Sequence, residues 1–258
     1  MQRIDSSSGS SRSKRPSNKI LEALPESEYQ QLLPHFTKVS LQPGQILHHE
    51  GEVPQYAYFL LEGIASLTVS TDEGKDLGLS MVGSEGIVGE RAIFEGGLPM
   101  VRCMMLTRGI SYAVGPQILN EGFHEGGKLH DLVMRSLEAR LAETSQTALC
   151  NQMHSIEQRL SRWLLTLADR LGHDQIPVTQ ELIADVLGVR RSGVTVAAGA
   201  LREAGLIEYS RGCINILDRK GMEEQACECY HITKDAVERA YRNPHATSTQ
   251  DSAAAQEN

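Results

Sequence analysis

The chain has 258 residues, with 25 Lys and Arg against 33 Asp and Glu and a net charge of −8. Its hydrophobic fraction of 40% is enough for packed cores, and with no uninterrupted apolar run of about 18 residues a transmembrane helix is excluded. Five cysteines are too few and too odd in number for a disulfide framework, which points to a reducing, cytoplasmic setting.

Residues 1–18 are basic, Ser-rich and poor in large apolar side chains. They cannot bury enough surface to offset ordering entropy, so a disordered tail is expected. With no apolar h-region, this stretch does not read as a secretory signal. A short helical pattern follows at Ile20, Leu21, Leu24 and Leu32. Between Gly44 and Gly115 the texture changes to short apolar runs separated by glycines. Leu77, Leu79 and Met81 alternate, as do Ile110, Tyr112 and Val114, which is strand periodicity. Asp72-Glu73-Gly74-Lys75 between two such runs predicts a hairpin turn. Many short strands at regular spacing predict an antiparallel jelly roll over 19–127.

From Lys128 to Leu171 there is neither Gly nor Pro, and Leu129, Leu132, Val133, Leu137, Leu141, Leu149, Met153, Ile156, Leu160, Trp163, Leu164 and Leu167 form a stripe at helical period. Ser155-Ile156-Glu157-Gln158 has the capping-box pattern, so the helix is expected to break there. The first piece, 128–152, predicts a dimerisation helix, because little else in a jelly roll joined to a small domain would cover the stripe. The alternative is a core helix of one monomer.

Residues 153–220 carry a net charge of +1 although the whole chain is acidic, and Val189–Arg202 contains three arginines and no acid. Here Thr179 predicts an N-cap, Leu182, Ile183, Val186 and Leu187 an inner face, and Gly188 a helix end. A second helix from about Arg191 would turn Val194, Ala197, Ala198 and Leu201 inward. Leu206–Tyr209 and Cys213–Leu217 flank Ser210-Arg211-Gly212, a wing. A helix, a glycine turn and a second helix make the motif whose second helix enters the major groove. Gly193 and Gly199 are awkward in that helix; Gly193 suggests close approach of the backbone to DNA. Residues 221–243 read as a helical extension and 244–258 as a polar tail.

The order of parts resembles the CRP/FNR family of bacterial transcription regulators. Its carriers are Pro43-Gly44-Gln45, His49-Glu50-Gly51-Glu52, Tyr58–Gly63, Gly89-Glu90 and the helix-turn-helix, in that order. The resemblance implies an α+β fold: an N-terminal jelly roll like the cyclic-nucleotide-binding domain, a long dimerisation helix and a C-terminal winged helix-turn-helix. It implies a homodimer on a near-palindromic operator, with RNA polymerase as a partner, no membrane and no enzymatic activity. DNA contacts would fall on Arg190, Arg191, Ser192, Thr195, Val196, Arg202 and Arg211. By the same resemblance a cyclic nucleotide would meet Gly89, Glu90, Arg102, Cys103, Thr144 and Ser145, although Cys103 replaces the family's hydroxyl residue. No Cys precedes Cys103, which argues against the family's iron–sulfur cluster.

Other readings stay open. His48 and His49 are potential haem ligands. Cys227, Cys229 and His231 are a loose metal or redox group, but one intervening residue is not the usual zinc spacing, so they read as ordinary helix residues and no metal site is assigned. Gly83, Gly86 and Gly89 lack the Lys-Ser/Thr of a P-loop. A sensor of nucleotide, redox state or metal that acts through protein partners is the alternative to a DNA-binding regulator.

Overall fold

The computed structural model describes residues 2–3, 15–94, 99–210 and 212–241. In chain order it runs β1 (Gln2–Arg3), α1 (Lys19–Ala23), α2 (Glu26–Leu32), β2 (Thr37–Leu41), β3 (Ile46–His48), β4 (Ala57–Glu62), β5 (Ala65–Ser70), β6 (Asp76–Val82), β7 (Ile87–Val88), a 3-10 turn at Glu90–Ile93, β8 (Arg102–Met105) and β9 (Gly109–Val114). These strands form two antiparallel sheets, β1-β2-β9-β4-β7 and β3-β8-β5-β6. Leu41, Leu60, Leu67, Val82, Val88, Cys103 and Met105 cluster in the jelly-roll core. The turn Asp72–Lys75 joins β5 to β6, with Gly74 at φ 77.

Of the expected tails, residues 1, 4–14 and 244–258 lie outside the described residues, but two stretches within 1–18 belong to the folded unit. Gln2 and Arg3 pair with Lys38 and Thr37 on β2. Asn18 is fully buried. Its Oδ1 accepts from the N–H groups of Ile20 and Leu21, capping α1, and its Nδ2 donates to the carbonyls of Leu60 and Gly86 at 2.9 Å each. An amide that satisfies four groups belongs to the core, a role that Ser-rich composition conceals.

After β9 come α3 (Pro116–His124), α4 (Gly127–Met153) and α5 (Ile156–Leu171). The break between α4 and α5 falls where the capping box put it: Ser155 Oγ accepts from Gln158 N–H, and Gln158 Oε1 accepts from Ser155 N–H. Then follow β10 (Gln175–Ile176), α6 (Gln180–Leu187), α7 (Arg191–Glu203), β11 (Ile207–Ser210), β12 (Cys213–Ile216), α8 (Arg219–Gln225) and α9 (Cys229–Tyr241). β10, β12 and β11 make a three-stranded sheet in that order. Leu160, Trp163, Leu164, Leu167, Ile183, Val194, Leu201, Ile207 and Ile214 share one core under α5, α6 and α7. Each buried Leu or Ile side chain contributes about 1.5–3 kcal/mol. α8 is part of this unit, since Arg219 at its start pairs with Asp169 of α5 and with Asp174. α9 runs back along α4. Among the described residues no helix is long and apolar enough to cross a membrane.

Candidate functional site

The local sequence explains why α7 is presented outward. Thr179 Oγ1 accepts from Leu182 N–H and starts α6; Gly188, at φ 63, ends it in the left-handed conformation. Arg190 then caps α7 without a side-chain bond. Val194, Ala197, Ala198 and Leu201 are buried, so helical period leaves Arg191, Ser192, Thr195 and Val196 exposed on the opposite face. Val196 is 67% exposed, an apolar side chain held in water beside arginines. Arg190 and Arg202 are exposed at the two ends of the helix. Arg211 lies outside the described residues.

Two details of this surface differ from the sequence reading. Gly193 does not face the open side: a Cβ there would lie 3.0 Å from Ile156 Cδ1, so the glycine lets α7 approach α5. Gln180 was missed. Thr195 Oγ1 stands 3.0 Å from Gln180 Oε1 and 3.1 Å from the Arg191 carbonyl, which places the first residue of α6 beside the outward face of α7. The available signal was Thr179, whose cap puts Gln180 in the first turn.

The sensor interior is assembled differently from the ligand set that the resemblance implies. Gly89 adopts φ +83, and a Cβ there would come within 2.5 Å of the Tyr56 carbonyl, so the turn requires glycine. Glu90 follows, nearly fully buried, and is held by Arg140 of α4, which also donates to the Ile87 carbonyl at 2.6 Å. Glu90 Oε2 and His48 Nδ1 are buried without a partner. Cys103 sits opposite His48 and Leu67 in its sheet, fully buried. Burial pushes its thiol well above the usual range, with Glu90 adding to the shift and Arg140 opposing it.

Arg102 does not join this group. One residue from Cys103 on the same strand, it points to the other face of the sheet and pairs with Asp76 of β6. That face packs against α6: a Cβ on Gly78 would strike Val186 Cγ1 at 2.5 Å, and Leu77 lies against Gly188. Burial raises the carboxyl of Asp185, helped by Asp76 and Glu181 and opposed by Arg102. Arg102 therefore stands at the seam between the jelly roll and the helix-turn-helix. Thr144 is half-buried, and exposed Ser145 donates to the Leu141 carbonyl at 2.8 Å. His48 is buried while His49 is exposed, so the two do not share a face for haem. His231 is exposed against the Tyr230 ring.

Between the two units stands a buried charged triad that sequence reading did not find. Arg170 of α5 donates through Nε to Glu85 at 2.8 Å, and through both terminal nitrogens to Glu143 of α4 at 3.2 and 3.0 Å. Burial works against its charge, but Glu143 and Glu85 outweigh that and hold its pKa above the ordinary value. α4 has a second surface. Leu129, Leu132 and Val133 pack within the chain, whereas Met134, Leu141, Leu149 and Met153 are 44, 68, 46 and 71% exposed.

Comparison with known proteins matches both units. Residues 38–123 match the profile of the cyclic nucleotide-binding domain and residues 158–225 that of the Crp-like helix-turn-helix domain. The transcriptional regulator SdrP of Thermus thermophilus is 28% identical over 197 residues, which is 73% of this chain and 93% of the relative. A CRP-like cAMP-activated global transcriptional regulator of Mycobacterium tuberculosis is 22% identical, covering 80% of this chain and 96% of the relative. Among solved structures, a CRP/FNR-family transcriptional regulator from Eubacterium rectale superposes with a TM-score of 0.66 at 18% identity, covering 81% of this chain and 98% of that one. The c-di-GMP-responsive global regulator CLP of Xanthomonas campestris gives 0.64 at 18% identity, with 75% and 100% covered.

Proposed function

Because the chain belongs to the CRP/FNR family of transcription regulators, we propose that it works as a homodimer reading a near-palindromic operator, with α7 in the major groove. It is a DNA-binding regulator with a sensor domain of the cyclic-nucleotide-binding kind, not an enzyme. The observation that carries the reading is the two-faced α7, which buries four apolar residues and leaves Arg191, Ser192, Thr195 and Val196 in solvent. Arg191 suits a bidentate pair with guanine O6 and N7, Val196 a thymine methyl. Arg190, Arg202 and Arg211 suit phosphates, which fix register without reading bases.

The exposed row on α4 supports the dimer. Met134, Leu141, Leu149 and Met153 form an apolar strip on a helix otherwise well packed, and a second copy's α4 is the surface that matches it. A dimer places two α7 helices on one side of a duplex. Recruitment of RNA polymerase, and a cytoplasmic location beside the DNA, follow from the family's role.

For the signal, Glu90 and Arg140 are the groups to address. Arg140 already clasps Glu90, so a ligand entering here must take Arg140's place on the carboxylate or draw the guanidinium to itself. A cyclic nucleotide has a ribose hydroxyl for the first and a phosphate for the second; on this chain Arg140 replaces Arg102 as the cation facing it.

Selection of duplexes from a random pool, followed by footprinting, tests the proposal. Two inverted half-sites about one helical turn apart, roughly 34–36 Å, are expected. Enrichment of no sequence, or of a single unrepeated half-site, would overturn it.

A further inference from the structure

Away from both surfaces, four metal-binding side chains converge where α4 ends. Cys150 lies in the last turn of α4, and His154 caps it, its N–H donating to the Cys150 carbonyl at 3.1 Å. Residues four apart on a helix share a face. Cys227 lies in the turn between α8 and α9 and Cys229 opens α9, and the chain's return along α4 brings them to that face. Cys150 Sγ stands 3.5 Å from Cys227 Sγ, and Cys229 Sγ 3.5 Å from His154 Nδ1. All four ligand atoms lie within 4.8 Å of one another. We propose that Cys150, His154, Cys227 and Cys229 form a structural Zn2+ site that fastens the C-terminal helices to the hinge between α4 and α5.

The spacing fits a single ion. Zn–S bonds of about 2.3 Å and a Zn–N bond of about 2.0–2.1 Å, arranged tetrahedrally, put sulfurs about 3.8 Å apart and sulfur and nitrogen about 3.6 Å apart. An iron–sulfur cluster would need room for several irons and their bridging sulfides, which this gap lacks. Three thiolates and one imidazole are a ligand set that suits zinc. Four protein ligands leave no open position, so the site's role is structural.

The surroundings are those of a metal site. Cys150, Cys227 and Cys229 are almost completely buried and form a small core of their own, none of them in a disulfide. Gln146 Nε2 donates to Cys229 Sγ at 3.1 Å. His154 Nε2 lies 3.4 Å from Glu228 Oε2, leaving Nδ1 turned to the sulfurs, the carboxylate–histidine–metal arrangement that orients a ligand imidazole. Most telling are Arg159 and Arg162, both buried. Among the described residues neither has a carboxylate partner, and the Nε of each is buried without one. Arg162 donates to Thr147 Oγ1, one turn before Cys150, at 3.3 and 3.4 Å, and Arg159 donates to the Leu187 carbonyl, so each meets only neutral oxygens. Buried cations require an anion. Zn2+ bound by three thiolates and a neutral imidazole carries one net negative charge, which supplies it; the three thiols release their protons on binding.

The Cys-x-Cys spacing looked wrong for zinc only because the two remaining ligands lie far back in the chain, Cys150 being 77 residues before Cys227. His231, the third member of the loose group weighed in the sequence, stays outside the site, and His154 stands in its place.

The test uses the full-length chain, purified reduced from zinc-supplemented cells. Metal analysis should give one zinc per chain, and X-ray absorption three sulfur scatterers and one nitrogen. Exchange with Co2+ should give the visible bands of tetrahedral cobalt and an ultraviolet thiolate charge-transfer band. Cys229→Ser should lose the metal, His154→Cys should keep it with an altered cobalt spectrum, and Cys103→Ser and Cys213→Ser should leave both unchanged. A chelator should lower the melting temperature of the wild type, and Zn2+ should restore it. A reduced wild-type chain that takes up neither Zn2+ nor Co2+ stoichiometrically overturns the proposal, with no variant needed. So does metal that survives in Cys229→Ser but is lost from Cys103→Ser or Cys213→Ser.

Discussion

Arg170→Met removes a buried cation that joins the sensor to the DNA-binding unit. The side chains of Arg170, Glu85 and Glu143 are 8, 12 and 6% exposed, so water screens this triad little. Methionine keeps most of the volume but leaves two carboxylates buried and unpaired. Breaking a buried pair in this way costs about 3–5 kcal/mol. At about 2–4 °C per kcal/mol for a unit of this size, the melting temperature should fall by roughly 6–20 °C. Urea denaturation followed by circular dichroism measures the loss. A triple variant, Arg170→Met with Glu85→Gln and Glu143→Gln, removes the charges together and should recover much of it, since a neutral set of similar shape replaces a buried ionic one with little loss. If the single variant lies within about 1 kcal/mol of wild type, the triad behaves as a solvent-screened surface pair and the reasoning fails. If the triple is no better than the single, the loss comes from packing and not from stranded charge.

Leu141→Asp puts a charge on the exposed row of α4 while leaving the chain's own core intact, so sedimentation should report monomers and operator affinity should drop; a dimer unchanged in size would mean that the row is not the seam. Leu137, half-buried against that core, makes a poorer test. Arg191→Ala should relax preference at one base pair per half-site by about 1–3 kcal/mol, whereas Arg202→Ala should weaken all sequences alike and flatten the salt dependence; a binding profile unmoved by Arg191→Ala would displace it from the bases. Arg102→Ala, whose side chain faces Asp76 and α6, should leave calorimetric titrations with cyclic AMP as they are in wild type, and a lost heat signal would return Arg102 to the ligand. Burial lowers the pKa of His48 below the usual 6.5, with Glu90 opposing the shift. The unfolded chain therefore gains a proton below about pH 6.5 that the folded chain resists, and stability falls on acidification by up to about 1.4 kcal/mol per pH unit, until the folded pKa is reached. His48→Leu should remove that part of the acid slope, and an unaltered slope between pH 7 and 5 would show that His48 is not the group.

Much of the architecture was legible because it rests on local rules. Glycine at φ 77 in the β5–β6 turn, a capping box at Ser155 and a left-handed Gly188 are features that one or two residues dictate. The site residues depend on parity and on distant chain. Arg102 and Cys103 are neighbours on a strand, so a single step decides which one faces Glu90, and a motif carried across by resemblance took both inward. Arg140, Glu143 and Arg170 were passed over because charged residues on a long helix ordinarily face water. Here the side of α4 that carries Arg140 and Glu143 is covered by the chain's own jelly roll and by α5. For the same reason the apolar stripe on α4 was too broad: Leu129 and Val133 belong to the monomer core, and only the later, exposed positions are left for a partner.

The placement of polar groups on α4 ties the sensor to the DNA-binding unit. Ser136, Arg140, Glu143, Thr147, Cys150 and His154 recur at intervals of three or four, which puts them along one side of the helix and its cap. Arg140 holds Glu90 in the sensor, Glu143 holds Arg170 of α5, Thr147 accepts from Arg162, and the last two reach the turn before α9. A rigid helix cannot yield at one of these contacts without loading the next, because buried ionic contacts have few alternative partners. A ligand that moved Arg140 off Glu90 would thus act on α5, and through α5 on α7, along a single line of bonded side chains. On the opposite side of the helix, with Leu141 and Met153 exposed, no such contact is made among the described residues. One helix thereby carries the buried ionic contacts on one side of its circumference and the exposed apolar row on the other.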